Sequence, residues 1–284
     1  MKGTDMTECI EEILKTGSVL RERNPLIHCI TSPIAINDCA NAVLAVGARP
    51  ICAEHPAEVR GITAISASLG VTLANITDAR AESMMLSGDE ARKRGLRSVI
   101  DVVGVNCSLF RMELAKRFVR ECRPAVIKGN LSEIRALAGA SFGNCGIDTA
   151  DEDQVSKDHP GSLERTAEIL KALARESGSV ILASGITDVL TDGNMTIAVS
   201  NGVSAMARVT GTGCILNCLT AAFLSAAETP LDAAAYAVLL MGIAGETALS
   251  ERKKGLGSFH IALIDALSTL EAEQLREKMR IQFL

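Results

Sequence analysis

The chain reads as an α/β protein, a mostly parallel sheet with helices on both faces. Three observations predict it. Short apolar, β-branched runs alternate with helical patterns as far as residue 199, and such alternation builds parallel strands joined by crossover helices. Beyond residue 199 the alternation stops and three helical patterns follow one another. Hydrophobic residues make up 48% of the 284 and charged residues 22%, enough apolar material for a large core and too much for disorder.

The elements follow in order from these periodicities. Residues 36–46 carry the first helical pattern. GVTLAN at 70–75 is a strand, 78–94 a helix, SVIDVVGV at 98–105 a strand and 110–122 a helix. AVIK at 125–128 is a short strand followed by a helix over 132–138. Residues 141–161 (SFGNCGIDTADEDQVSKDHPG) are polar, acidic and rich in turn formers, and read as a surface loop within a single domain spanning residues 1–284. A helix over 163–176 and strands at 179–183 and 195–199 complete the alternation. The last three helices occupy 213–227, 231–250 and 258–280. In the first of these Ile215, Leu216, Leu219, Ala222, Phe223 and Ala226 form one apolar stripe.

Composition removes several classes of function. Net charge is −5 with Lys and Arg scattered, and aromatic residues are 2%, so neither nucleic acid nor an anionic membrane is expected as a partner. The apolar run at 233–245 (AAAYAVLLMGIAG) is shorter than the roughly 20 residues a membrane span needs and reads as a buried helix. The amino-terminal MKGTDMTECIEEIL lacks the basic start and apolar run of a secretory signal. The nine cysteines include no CxxC pair, and most of them read as small core residues of a reducing, cytoplasmic protein.

One stretch carries chemistry: RVTGTGCILNCLT, residues 208–220. Its glycines lead into a helix whose first N–H groups have no internal partner, a plausible cradle for a phosphate or oxyanion. The field there lowers a thiol's pKa, so Cys214 is a candidate base or nucleophile. The same letters also suit an ordinary helix start capped by Thr210 or Thr212. The P-loop and dinucleotide fingerprints are both absent.

Four collinear segments resemble the hydroxyethylthiazole kinases of the ribokinase-like superfamily. They are NPLIHCITSPIAINDCANAVLAVGARPI (24–51), VIKGNLSEIRALAG (126–139), VTGTGC (209–214) and GLGSFHIALIDAL (255–267). The resemblance implies a ribokinase-like three-layer sandwich and phosphoryl transfer from ATP to the hydroxyl of 4-methyl-5-(2-hydroxyethyl)thiazole in thiamine salvage. It further implies a Mg²⁺ requirement and a homotrimer with active sites between subunits. A kinase of the same fold for another heteroaromatic or small alcohol, and a catalytically weak binding relative, are the alternatives.

Site residues follow from the same resemblance. Gly211, Thr212 and Gly213 map to the anion hole, with Gly211 also against the substrate. Cys214 stands where most ribokinase relatives carry an aspartate that accepts the hydroxyl proton. Asp101 and Glu133 match positions near the metal and triphosphate. Asp101 also sits in an apolar strand, where a carboxylate needs a reason to be buried; Glu133 is equally a capping-box partner for Asn130. Lys128 takes the place of an arginine that contacts ATP and loses its planar fork. Ser184 replaces a nucleotide-associated threonine, and Ile36 a methionine against the thiazole ring. His28 is expected to be a satisfied structural residue outside the site.

Overall fold

The computed structural model describes residues 3–139, 160–251 and 255–284. Residues 141–159 of the expected surface loop lie outside that set. The element order is α1 (Gly3–Arg23), β1 (Leu26–Ile30), α2 (Ile36–Ala45), β2 (Arg49–Ile51), α3 (Val59–Ile65), β3 (Ser68–Thr72), α4 (Asp78–Lys93), β4 (Arg97–Asp101), α5 (Leu109–Cys122), β5 (Val126–Asn130) and α6 (Leu131–Leu137). Then come α7 (Pro160–Ser177), β6 (Val180–Ser184), β7 (Asp188–Thr191), β8 (Thr196–Val199), α8 (Thr212–Leu224), α9 (Pro230–Glu251), α10 (Gly255–Thr269), α11 (Ala272–Lys278) and β9 (Ile281–Phe283).

Among the described residues the strands form a nine-stranded sheet in the order β2-β1-β3-β4-β5-β6-β7-β8-β9. The pairings from β2 through β6 are parallel. Those from β6 through β9 are antiparallel, since β6, β7 and β8 are joined by tight turns that reverse the chain. Side chains alternate between the two faces, as a strand's two-residue repeat requires. Val99, Val126, Val180 and Leu182 point into one core with α1, α2, α8, α9 and α10. Ile100, Ile127, Ile181 and Ala183 point into the other, with α4, α5, α6 and α7. The result is the expected three-layer sandwich.

Several expectations are corrected. The strand expected at 70–75 begins two residues earlier, and β1, β2, β7, β9, α1 and α3 were not expected at all. The single helix expected over 258–280 is two, α10 and α11. The first stops at Thr269, and Glu271 caps the second, its side chain and that of Gln274 each accepting a backbone N–H in a capping box. The stripe expected on α8 is not a stripe, because Asn217, Cys218 and Thr220 are buried along with the apolar positions. This helix lies flat on the sheet: Ser68 donates to the Ala221 carbonyl at 2.5 Å and Asn217 to the Val71 carbonyl at 3.0 Å. The apolar run 233–245 belongs to α9, whose 22 residues are enough by length and composition to cross a membrane. Of its most apolar window 78% is buried inside the fold, the position of a core helix.

Candidate active site

Parallel strands joined by helices gather their carboxyl ends along one edge, where loops and helix starts leave a crevice. Here β3, β4, β5 and β6 end in Thr72, Asp101, Asn130 and Ser184, and α8 begins above them. The register sets Thr72 beside Asp101, Asp101 beside Lys128 and Asn130 beside Ser184. Asp101 and Lys128 are 2% and 5% exposed, which makes their ion pair an interior one.

Lys128 Nζ donates to Asp101 Oδ2 at 3.1 Å and to the Gly213 carbonyl at 3.2 Å, and Thr72 donates to the same Oδ2 at 3.4 Å. The lysine therefore ties two strand ends to the first turn of α8. Burial pushes the Asp101 carboxyl up, opposed by the Lys128 charge beside it. Its other oxygen, Oδ1, is shielded from solvent with no hydrogen-bond partner among the described residues, and the Val103 backbone N–H nearby favours the charged carboxylate. A buried carboxylate oxygen with a vacant lone pair fits a hard cation.

Glu133 is 2% exposed and sits at the third position of α6. Its Oε2 accepts the Asn130 N–H at 2.7 Å while the Asn130 side chain accepts the Glu133 N–H at 2.9 Å, a complete capping box. Its Oε1 accepts the Gly104 N–H at 2.8 Å, fixing the loop after β4. Burial, then the Asp101 charge, pushes its carboxyl up to about 7. Each oxygen keeps a lone pair for a cation, so the cap and a metal role are compatible. Two carboxylates are few ligands, which suits an ion that retains waters and leans on substrate phosphates.

The glycine turn does not use a threonine cap. Gly211 is the N-cap residue, with φ 89° and no side-chain cap, and Thr212 turns away to donate to the carbonyls of Met206 and Val209. The first N–H groups of α8 thus stay available for an anion. A Cβ on Gly211 would lie 2.7 Å from the Ala35 Cβ, so the start of α8 abuts the start of α2, where Ile36 stands half-buried. A Cβ on Gly213 would lie 3.1 Å from Lys128 Nζ.

Cys214 departs from expectation. Burial, reinforced by the Asp101 charge, pushes its thiol up to about 12, outweighing the Lys128 charge. It is a neutral thiol in the resting site. His28 is fully buried with Nδ1 2.9 Å from Thr63 Oγ1 and Nε2 2.9 Å from the Ala53 carbonyl, a structural role as expected.

Beside α8's first turn lies a cleft of about 680 Å³, whose lining includes the polar Asn130, Ser184, Thr212 and Gly213 and the apolar Val203, Met241 and Ile186. Ser184 donates to the Gly129 carbonyl at 3.2 Å. Lys128 does not line this cleft; its charge faces Asp101. Sequence reasoning missed Asp188, which does line it. Asp188 accepts the Gly185 N–H at 2.9 Å, and burial pushes its carboxyl up to about 7. An acid opening a short apolar strand was the available signal.

The model of the hydroxyethylthiazole kinase family matches residues 18–273. The chain belongs to this family. It is 46% identical over 262 residues to hydroxyethylthiazole kinase 2 of Clostridium botulinum strain Hall, covering 92% of this chain and 97% of that protein. The solved hydroxyethylthiazole kinase of Pyrococcus horikoshii OT3 superposes with a TM-score of 0.85 at 30% identity, over 96% of this chain and 99% of the other. The Bacillus subtilis pyridoxal kinase in its ADP complex shares the ribokinase-like fold, with a TM-score of 0.56 at 16% identity over 78% and 92% of the two chains. Hydroxyethylthiazole kinases are phosphotransferases with an alcohol acceptor, and this chain carries that architecture along its length.

Proposed function

We propose that the chain phosphorylates the side-chain hydroxyl of 4-methyl-5-(2-hydroxyethyl)thiazole with ATP, a step of thiamine salvage in the cytoplasm. Membership of the family supports the reaction. The observation that carries the site is the uncapped start of α8 at Gly211–Gly213, flanked by the buried Asp101–Lys128 pair. An acceptor screen coupled to ADP production tests the reading: turnover with the thiazole alcohol is expected. Turnover only with another heteroaromatic alcohol would replace the acceptor, and none with any alcohol would remove the activity.

ATP lies along the cleft, its phosphates at the α8 start beside Asn130 and Ser184. The backbone N–H groups of Thr212 and Gly213 face the transferring phosphoryl oxygens, where fixed dipoles stabilise charge without reorganising. Ile36 and Gly211 wall the thiazole. Asp101 and Glu133 would hold Mg²⁺ through their remaining lone pairs; when bound, it offsets charge on the phosphates and orients them. Lys128 acts through Asp101 and Gly213, keeping the carboxylate ionised and the first turn of α8 in place.

Glu133 gives this reading a pH signature. Its carboxyl lies well above the ordinary 4.5, so the metal-free fold prefers the protonated form. The folded state then holds more protons than the unfolded one between the two values, and the residue's contribution to stability falls as pH rises toward 7. A cation needs the ionised form, so half-saturating Mg²⁺ should drop as pH rises through about 7. Glu133→Gln should raise half-saturating Mg²⁺ and flatten that dependence. Titrating Mg²⁺ against initial rate at several pH values checks it, and an unchanged requirement would take Glu133 out of the metal's surroundings.

Cys214 faces the acceptor hydroxyl as a thiol. In a loose transition state the alcohol keeps its proton until late, so the proton passes to an oxygen of the transferred phosphoryl group, and the neutral thiol orients the hydroxyl without taking its proton. Cys214→Ala should lower kcat more than it changes KM, while Cys214→Asp should keep or raise the rate. With the thiol pushed up to about 12, the rate should show no limb between pH 6 and 9 that Cys214→Ala abolishes. Equal loss in both variants would reduce the residue to packing.

The unbroken sheet supports reading residues 1–284 as one domain. Ile34 and Leu44 on or beside α2 and Ile261 on α10 are exposed. Apolar surface next to Ile36 supports self-association at this face, and the family resemblance supports a homotrimer as the assembly, with its sites at subunit boundaries.

A further inference from the structure

Residues 279–284 fall beyond the stretch matched by the family model, yet they build β9, the outer strand of the sheet, against β8. This tail does more than cover an edge. The Arg280 backbone N–H donates to Asn201 Oδ1 at 2.7 Å, and Asn201 Nδ2 donates to the Lys278 carbonyl at 3.0 Å, so the Asn201 amide is held at both ends. The Arg280 guanidinium forks onto the Ser200 carbonyl at 2.9 and 3.2 Å and pairs with the Glu246 carboxylate of α9. Glu246 Oε1 in turn accepts the Gly202 N–H at 2.7 Å.

The loop held in this way is a wall of the cleft. Asn201, Gly202, Val203, Ser204 and Met206 all line it, and the hairpin turn at Ile186 lies beside them, with Thr187 Oγ1 3.4 Å from Ser200 Oγ. The loop runs on through the 3₁₀ turn Ser204–Arg208, whose Met206 carbonyl accepts the Thr212 hydroxyl at 3.3 Å. With the phosphates assigned to the α8 start, the apolar part of the lining, Val203, Met241 and Ile186, is what remains for the nucleotide's base. Ion pairs this exposed contribute little to global stability: the Arg280 and Glu246 side chains are 47% and 21% exposed. Their geometry instead fixes a loop.

We infer that the carboxyl-terminal segment, through Arg280, is a positioning clamp for the base end of the nucleotide cleft, an inference that rests on the assignment of that cleft to ATP. Arg280 touches neither substrate; it pre-orders the 200–206 loop, so that binding does not have to order it. Loss of the clamp should weaken nucleotide binding and leave acceptor binding and chemistry alone.

The test compares the full-length enzyme with Arg280→Ala, Arg280→Lys and a form lacking residues 281–284. KM for each substrate, ADP affinity by calorimetry with Mg²⁺, and amide hydrogen exchange with and without ADP are measured. Arg280→Ala should raise KM for ATP and the ADP Kd by about five- to tenfold, with the acceptor KM and kcat within about twofold. Arg280→Lys keeps the charge opposite Glu246 but loses the fork onto Ser200, and should fall between. If the truncated form does not fold, the point variants decide alone. ADP protection of residues 184–188 and 200–206 in the unaltered enzyme, with an unchanged ADP Kd in Arg280→Ala, overturns the clamp and leaves the cleft assignment standing. Absence of that protection removes the cleft assignment, and the clamp with it.

Discussion

Asp101→Asn should cut kcat by at least about a hundredfold and destabilise the fold at the same time. On the proposed reading the catalytic loss follows from removing the carboxylate that, among the described residues, has an unpartnered buried oxygen, at a centre where preorganised charge would supply most of the rate. The stability loss has a separate origin. Lys128 is 5% exposed, and its ammonium would be left with a neutral amide and the Gly213 carbonyl as partners. Breaking a buried pair from one side costs about 3–5 kcal/mol, because the surviving charge stays out of water uncompensated. Lys128→Met should show a similar penalty from the other side. The double variant Asp101→Asn/Lys128→Met removes both charges and should recover most of the stability while recovering none of the rate. Urea unfolding and steady-state kinetics on the four proteins read the two quantities independently. Near-additive stability losses would show that the pair does not act as a unit, and an Asp101→Asn rate close to that of the unaltered protein would take Asp101 out of the reaction.

How far the site could be read from sequence depends on how local its physics is. The capping box at Asn130 and Glu133 was legible because its partners are three residues apart, and it is present with both hydrogen bonds. The strand through Ile100 was legible from its β-branched run. β1 was not recognised as a strand, since the His28 and Cys29 that interrupt its apolar pattern are themselves buried. β9 is three residues long and gains its stability by pairing with a strand far away in sequence, a signal no local window contains. The raised thiol of Cys214 was illegible for the same reason in reverse. The helix-start field that favours thiolate is written locally, whereas the burial and the Asp101 charge that oppose it arrive only when α8 folds onto β4. The Arg280–Glu246–Asn201 network joins three elements and has no sequence signature.

Gly211→Ala should lower kcat/KM by a hundredfold or so with the fold intact, although no reacting group is touched. At φ 89° an L-residue carries a left-handed backbone strain of about 1–2 kcal/mol, and the new Cβ would stand 2.7 Å from the Ala35 Cβ. Carbon atoms prefer about 3.5–4.0 Å, so one of the two helix starts must move. On the proposed reading, a retreat of α8 takes the Thr212 and Gly213 N–H groups from the phosphoryl oxygens, and a retreat of α2 takes Ile36 from the thiazole. Either shift is of the order of 1 Å, enough to cost about two powers of ten in a reaction that depends on positioning. The direction of movement separates the cases, since the first lowers kcat and the second raises KM for the alcohol. Adding Ala35→Gly removes the clash but not the backbone strain, so Gly211→Ala/Ala35→Gly should recover part of the rate. A Gly211→Ala enzyme within about threefold of the unaltered one would mean that the contact between α2 and α8 does not set the geometry of transfer, and the anion hole would have to be located elsewhere.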